Sequence, residues 1–187
     1  MTLQERALVD LATALSDAGI PYMVIGGLAN AVWGEPRATL DIDVTVALEP
    51  EALDRLITAV VPLFQPLVPD PASFVRETHV LPVASEQGVR ADLILGVLPF
   101  ELLAIERATA ISIQQQDVRF CTAEDLILLK AVSTRTRDLD DVQGILRRRI
   151  DSLDLEYLEP RIRELADLLE RPEIVERWLS WKEEASP

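Results

Sequence analysis

The sequence predicts a mixed α/β core over residues 1–121, followed by an all-helical part over 122–187. Three observations predict it. Apolar or alternating runs of strand length fall at 22–25, 41–47, 79–84, 89–95, 109–113 and 117–120, interleaved with helical patterns. Two of these runs flank Ser85-Glu86-Gln87-Gly88, a hairpin signal. From Thr122 onward the pattern is helical throughout, and no repeat, low-complexity tract or Gly/Ser linker divides the halves.

In chain order, residues 2–19 read as an amphipathic helix with Leu3, Leu8, Leu11 and Leu15 near one stripe. Thr2 and Glu5 have capping-box spacing, and Gly19 is placed to stop the helix. Residues 22–25 form a strand, and 28–33 a short helix closed by Gly34, with Pro36 in the loop beyond. The strand 41–47 follows. Pro50 is well placed to open a helix reaching Val61. The proline-rich stretch 62–72 reads as loop, leading to a short helix from Pro71 to Glu77. After the hairpin, Pro99 begins a helix over 99–107. Thr122 with Asp125 starts a helix to about Thr134, and the remaining helices are 138–149, 154–169 and 172–182.

Composition narrows the function classes. With 49% apolar and only 5% aromatic residues, Leu, Val, Ile and Ala must fill most of the core. A single cysteine, Cys121, rules out a disulfide within the chain and fits a reducing, cytoplasmic setting. Met-Thr-Leu-Gln-Glu-Arg lacks the basic and apolar regions of a secretory signal, and no apolar run has membrane-spanning length, so a soluble protein is expected. The net charge of −14 argues against nonspecific binding to a nucleic-acid backbone, where Lys and Arg must replace counterions. One local basic patch is available: Lys130, Arg135, Arg137, Arg147, Arg148 and Arg149. A solvated helical hairpin of mixed charge explains the same residues.

The chemistry concentrates in two signatures, Gly26-Gly27 and Asp41-Ile42-Asp43. On a strand, residues i and i+2 share a face, so Asp41 and Asp43 aim two carboxylates the same way. Paired carboxylates are hard oxygen donors suited to Mg²⁺ or Mn²⁺. Glycines after a strand let a phosphate approach the backbone at a helix start. Together they point to a metal-bound nucleoside triphosphate. Solvent-facing acids at a strand edge and a plain strand-to-helix turn are the alternatives. Asp92, in the apolar run Val89-Arg90-Ala91-Asp92-Leu93-Ile94-Leu95, is the third carboxylate, since burying it calls for a metal or an ion pair. A salt bridge to Arg90 or Arg37 is its alternative. Arg37 has the guanidinium geometry for a phosphate, or else pairs with Glu35 or Asp43. Lys130, on an apolar helix, contacts phosphate or interacts with the helix dipole. His79 has no companions at zinc spacing and reads as a strand-surface residue. Trp178 and Trp181 read as packing residues. Neither a P-loop nor a serine-hydrolase elbow is found.

These residues resemble the nucleotidyltransferase superfamily with a DNA-polymerase-β-like fold. The likeness lies in Gly-Gly-x-Ala, x-Arg-x-Thr-x-Asp-x-Asp and the later strand aspartate. Within it they are most similar to the AbiEii/AbiGii type, the toxin side of type IV toxin–antitoxin systems. Ala-Glu-Asp-Leu-Ile-Leu-Leu-Lys-Ala at 123–131 and Arg-Asp-Leu-Asp-Asp-Val at 137–142 carry that part of the likeness, which covers about residues 20–146. The resemblance implies a mixed sheet flanked by helices and a helical C-terminal extension packed on the core. It also implies metal-dependent transfer of a nucleoside monophosphate from an NTP to an acceptor hydroxyl. It assigns Asp41, Asp43 and Asp92 to the metal, Gly26 and Gly27 to the triphosphate, and Lys130 to the nucleotide phosphates, followed by Asp138 or Asp141. Some such toxins carry an Asp five residues after the Lys, where this chain has Arg135. The acceptor is an RNA or tRNA end, or a small molecule as in aminoglycoside and lincosamide nucleotidyltransferases. An antitoxin partner belongs to the first option. The rival reading is a non-catalytic binding protein that kept the fold, and the direction of Asp92 discriminates the two.

Overall fold

A computed structural model describes residues 1–49 and 52–185. The expected helix start at Pro50 lies outside them. The chain divides into two compact units, residues 1–28 with 38–121, and 29–37 with 122–187. The sequence reading kept 29–37 with the α/β part; by packing they cluster with the helices.

In the first unit, helix α1 (Leu3–Asp17) is closed at its N-terminus by the reciprocal Thr2–Glu5 capping box. It buries Leu8, Leu11 and Leu15 and stops at Gly19, whose φ of +62° suits a glycine. Seven strands form one sheet: β1 (Tyr22–Val24), β2 (Ile42–Val46), β3 (Phe64–Pro66), β4 (Val80–Ser85), β5 (Arg90–Leu95), β6 (Thr109–Ile113) and β7 (Gln116–Phe120). Their order is β3-β4-β5-β2-β1-β7-β6. The β2–β5 and β1–β7 pairs are parallel and the others antiparallel.

The strand β3 corrects the expectation of loop over 62–72. It pairs with β4 at the sheet edge, which is where a strand tolerates Pro66, and Phe64 is buried there. His79 is also corrected. It is the left-handed C-cap of helix α4 (Pro71–Thr78), at φ +59°, rather than a strand residue.

One sheet face is apolar and fully covered: Ile42, Val44, Val46, Leu81, Val83, Ala91, Leu93 and Leu95 are all buried. Helices α1, α3 (Leu53–Val60) and α4 pack on one another along that layer. Helix α5 (Pro99–Arg107) contacts β1 and β2, and its Ile105 lies with Thr45 beside Gly96, on the other face. That face is only partly covered around β2 and β5, and it is where the charged residues stand. Helix α2 (Gly26–Trp33) begins in this unit, and from Ala29 onward its residues cluster with the second.

The second unit contains α6 (Ala123–Ala131), α7 (Thr136–Arg149), α8 (Leu155–Leu168) and α9 (Glu173–Ala185). Its core includes Leu126, Ile127, Val142, Ile145, Leu158, Ile162, Ile174 and Trp178. Helix α6 ends at Ala131 rather than near Thr134, and α7 starts at Thr136. Trp178 and Trp181 are buried, as the packing reading expects. Among the described residues no helix is long and apolar enough to cross a membrane.

Asp125 shows how these helices are joined. It is 2% exposed, accepts a 2.6 Å hydrogen bond from the Tyr157 hydroxyl of α8, and accepts a second from the Thr122 hydroxyl at 2.8 Å. Hydrogen bonds to a charged group contribute about 1.5–3 kcal/mol. Tyr157→Phe is therefore expected to lower unfolding free energy by about 2 kcal/mol. Urea denaturation with an unchanged m-value checks it; an unchanged midpoint would refute it.

Candidate active site

The two glycines and the second aspartate meet in the first unit. The Ile25 amide donates to the Asp43 carbonyl at 2.9 Å, so β1 and β2 run side by side as the chain turns into α2. Gly26 sits at φ +65° with its Cα against the Asp43 side chain: a Cβ there would lie 2.8 Å from Asp43 Cγ and closer still to Oδ2. A Cβ on Gly27 would lie 2.5 Å from the Thr39 hydroxyl. Both glycines are the first residues of α2 rather than a spacer before a helix at 28. The missing side chain of Gly26 lets the helix start lie against Asp43, and that of Gly27 lets it lie against Thr39.

The parallel β2–β5 register pairs Asp43 with Asp92 directly. Residues opposite one another in adjacent strands present side chains on the same face, with strands about 4.8 Å apart. Asp92 therefore shares the face of Asp43. Asp41 precedes β2, in a bend one residue before Ile42, instead of lying within the strand as expected. Its charge nevertheless acts on Asp92. Burial raises the Asp92 carboxyl above the usual carboxylate range, and the Asp41 charge raises it further against the opposing charge of Arg90.

These are hard oxygen donors with excess negative charge, and that chemistry fits a divalent cation. Among the described residues, no three His, Cys, Asp or Glu side chains are gathered closely enough to hold an ion as they stand. The part that the backbone itself positions is the Asp43–Asp92 pair.

Arg37 and Lys130 belong to the second unit, where a shared carboxylate brings them together. Arg37 grips Asp141 with both ends of its guanidinium, at 2.8 and 2.7 Å. Lys130, 5% exposed, contacts Asp141 and Asp138, each at 2.7 Å, and Ser133 donates to Asp138 at 2.8 Å. Burial alone would raise both carboxyls. The hydrogen bonds and charges of Lys130, with Arg37 on Asp141 and Ser133 on Asp138, outweigh burial and hold both below the ordinary range. Arg37 thus pairs with Asp141, 104 residues away in the sequence.

Three arginines of the basic patch are similarly engaged. Arg147 pairs with Glu35, Arg148 donates to the Gly34 carbonyl, and Arg149 lies over the Trp33 ring. These contacts tie α7 to residues 33–35. No spacing rule within the sequence could have matched residues so far apart.

No protein-family model and no curated protein matches the chain. Solved structures do. The antibiotic-resistance factor ANT(2'')-Ia aligns with TM-score 0.59 at 16% identity, over 91% of this chain and 96% of its own. An antigenic nucleotidyltransferase-like protein from Paracoccidioides brasiliensis aligns with TM-score 0.56 at 16% identity, over 93% and 91%. The fold is nucleotidyltransferase-like. The lincosamide antibiotic adenylyltransferase LnuA, solved with lincomycin, aligns with TM-score 0.50 at 11% identity, over 78% of this chain and 98% of its own. In this chain the glycine turn and the Asp43–Asp92 pair lie at the partly covered sheet face.

Proposed function

We propose that the protein is a metal-dependent nucleotidyltransferase, moving a nucleoside monophosphate from an NTP to an acceptor hydroxyl with release of pyrophosphate. The carrying observation is the in-register Asp43–Asp92 pair with the Gly26 backbone against Asp43. Asp41, Asp43 and Asp92 would hold Mg²⁺ or Mn²⁺, which when bound supplies Lewis-acid polarisation of the phosphates. Gly26 and Gly27 keep the helix start free of side chains so that phosphate can approach backbone N–H groups. Asp92, in register with Asp43, is the general base proposed for the acceptor hydroxyl. Arg37 and Lys130 are the cations proposed for the nucleotide's phosphates, which would compete with Asp141 for them.

Within this reading, the motif likeness at 123–131 and 137–142 supports an AbiEii-type toxin acting on an RNA or tRNA end, with a cognate antitoxin. A small-molecule acceptor is the second reading, favoured by the charge of −14 and by the internal engagement of Arg147, Arg148 and Arg149. The test is label transfer from α-labelled NTPs, with Mg²⁺, to total RNA and to a small-molecule extract, comparing wild type with Asp43→Ala. Labelling of one fraction, reduced to background by the substitution, is expected. Equal labelling by both proteins would sink the assignment, as would failure of wild type to bind Mg²⁺–NTP at millimolar concentration. That last result would favour a non-catalytic binding protein.

A further inference from the structure

Beside the carboxylates, the partly open sheet face carries an arginine. Arg90 stands two residues before Asp92 on β5, so both side chains project from the same face. Its register partner on β4 is Ala84, which offers it no polar group. On the β2 side the register begins at Ile42–Ala91, and Asp41 lies in the bend just before it. Arg90 is exposed, and its charge acts on Asp92, whose carboxyl it lowers against the effect of burial.

The remaining arginines of this unit stand elsewhere. Arg6, Arg55 and Arg76 lie on α1, α3 and α4, in the layer over the opposite face, and Arg55 donates to the Gly19 carbonyl. Arg107 ends α5, and Arg119 donates to the carbonyls of Glu106 and Ala108. The unit contains no lysine.

Position separates Arg90 from the triphosphate seat. In the order β4-β5-β2-β1, the glycine turn flanks the carboxylates on the β1 side and Arg90 flanks them on the β5 side, towards β4. We propose that Arg90 binds an anionic group of the acceptor, and that the acceptor is a small hydroxy compound carrying one phosphate or carboxylate near the reacting hydroxyl. This rests on the nucleotidyl-transfer reading. A guanidinium fork matches either anion with two parallel hydrogen bonds. A polynucleotide would need several cations along its backbone, and this face supplies Arg90. In the reaction the acceptor oxygen forms a bond to the α-phosphorus. The bond from that phosphorus to the bridging oxygen breaks, its electron pair leaves with pyrophosphate, and the hydroxyl proton passes to Asp92.

The test is calorimetric titration of glycerol 3-phosphate, glycerate and glycerol into protein saturated with Mg²⁺ and a non-transferable ATP analogue. Glycerol 3-phosphate or glycerate should bind wild type where glycerol does not. Arg90→Gln should weaken that binding at least tenfold, with Arg90→Lys between them and the affinity for the ATP analogue within twofold of wild type. Equal binding to wild type and Arg90→Gln, or binding of neither anion, overturns the proposal. Loss of ATP-analogue affinity in Arg90→Gln would assign Arg90 to the nucleotide instead. A 3′-hydroxyl oligoribonucleotide that binds more tightly than both anions would overturn the small acceptor. If wild type fails to bind the Mg²⁺–ATP analogue, the nucleotidyl-transfer reading falls, and this inference with it.

Discussion

Gly26→Ala is expected to abolish most of the proposed nucleotidyl transfer while leaving a folded protein. Two effects combine. A non-glycine residue at φ +65° costs about 1–2 kcal/mol of backbone strain. The new methyl would also occupy the position of the Asp43 carboxylate, with Cγ only 2.8 Å away, so the side chain must leave its place beside Asp92. Misplacing a reacting group by about 1 Å can lower a rate about 10²-fold, and a loss of at least that size is expected here. Gly19→Ala separates strain from displacement. Gly19 has nearly the same φ, +62°, but nothing lies within 4 Å of its would-be Cβ. It should lose comparable stability and keep its activity. Urea unfolding and label transfer on both variants check the pair. Equal activity losses would show that strain, rather than the Asp43 contact, is responsible.

Asp141→Ala should be the most destabilising charge substitution in the second unit. Its carboxylate, 4% exposed, is shared by Arg37 and Lys130, and Lys130 itself is nearly buried. Removing one partner of a buried pair typically costs about 3–5 kcal/mol; because Lys130 keeps Asp138 and Arg37 is partly exposed, a loss at the lower end, about 3 kcal/mol, is expected. Glu35→Gln, which breaks the exposed Arg147 pair, is the control and should leave the urea midpoint unchanged.

The same network determines the response to acid. The Asp138 and Asp141 carboxyls are held below their ordinary range in the folded state. Their contribution is therefore present above the unfolded carboxylate value, near 3.9, and is lost as pH falls through the depressed folded values. Wild type should lose stability steeply below about pH 4, and Asp141→Ala should show a shallower decline over that window. Parallel acid titrations of the two proteins would contradict this account.

Much of the fold was legible because local signals agreed with one another. The Thr2–Glu5 box, the turn ending at Gly88, Pro99 at a helix start and the Thr122 cap each act within a few residues, and each element stands where its signal lies. Strand β3 escaped because its prolines argue for loop unless the strand is known to lie at an edge, and edge position is a property of the assembled sheet. The candidate site divides in the same way. Period-two alternation pointed to Asp41 and Asp43, although Asp41 lies in the bend before β2, and an acid in an apolar run pointed to Asp92.

By itself, then, the sequence determined the residue types, their local periodicity and the charge of −14, because caps, turns and alternation are short-range physics. Tertiary structure alone decided three things. The parallel register seats Asp92 beside Asp43, 49 positions further along the chain. The approach of the β1–α2 turn makes Gly26 a packing requirement of Asp43. The burial of Asp141 joins Arg37 to Lys130. Each depends on segments distant in sequence meeting at a particular register and depth, and no local pattern encodes that meeting.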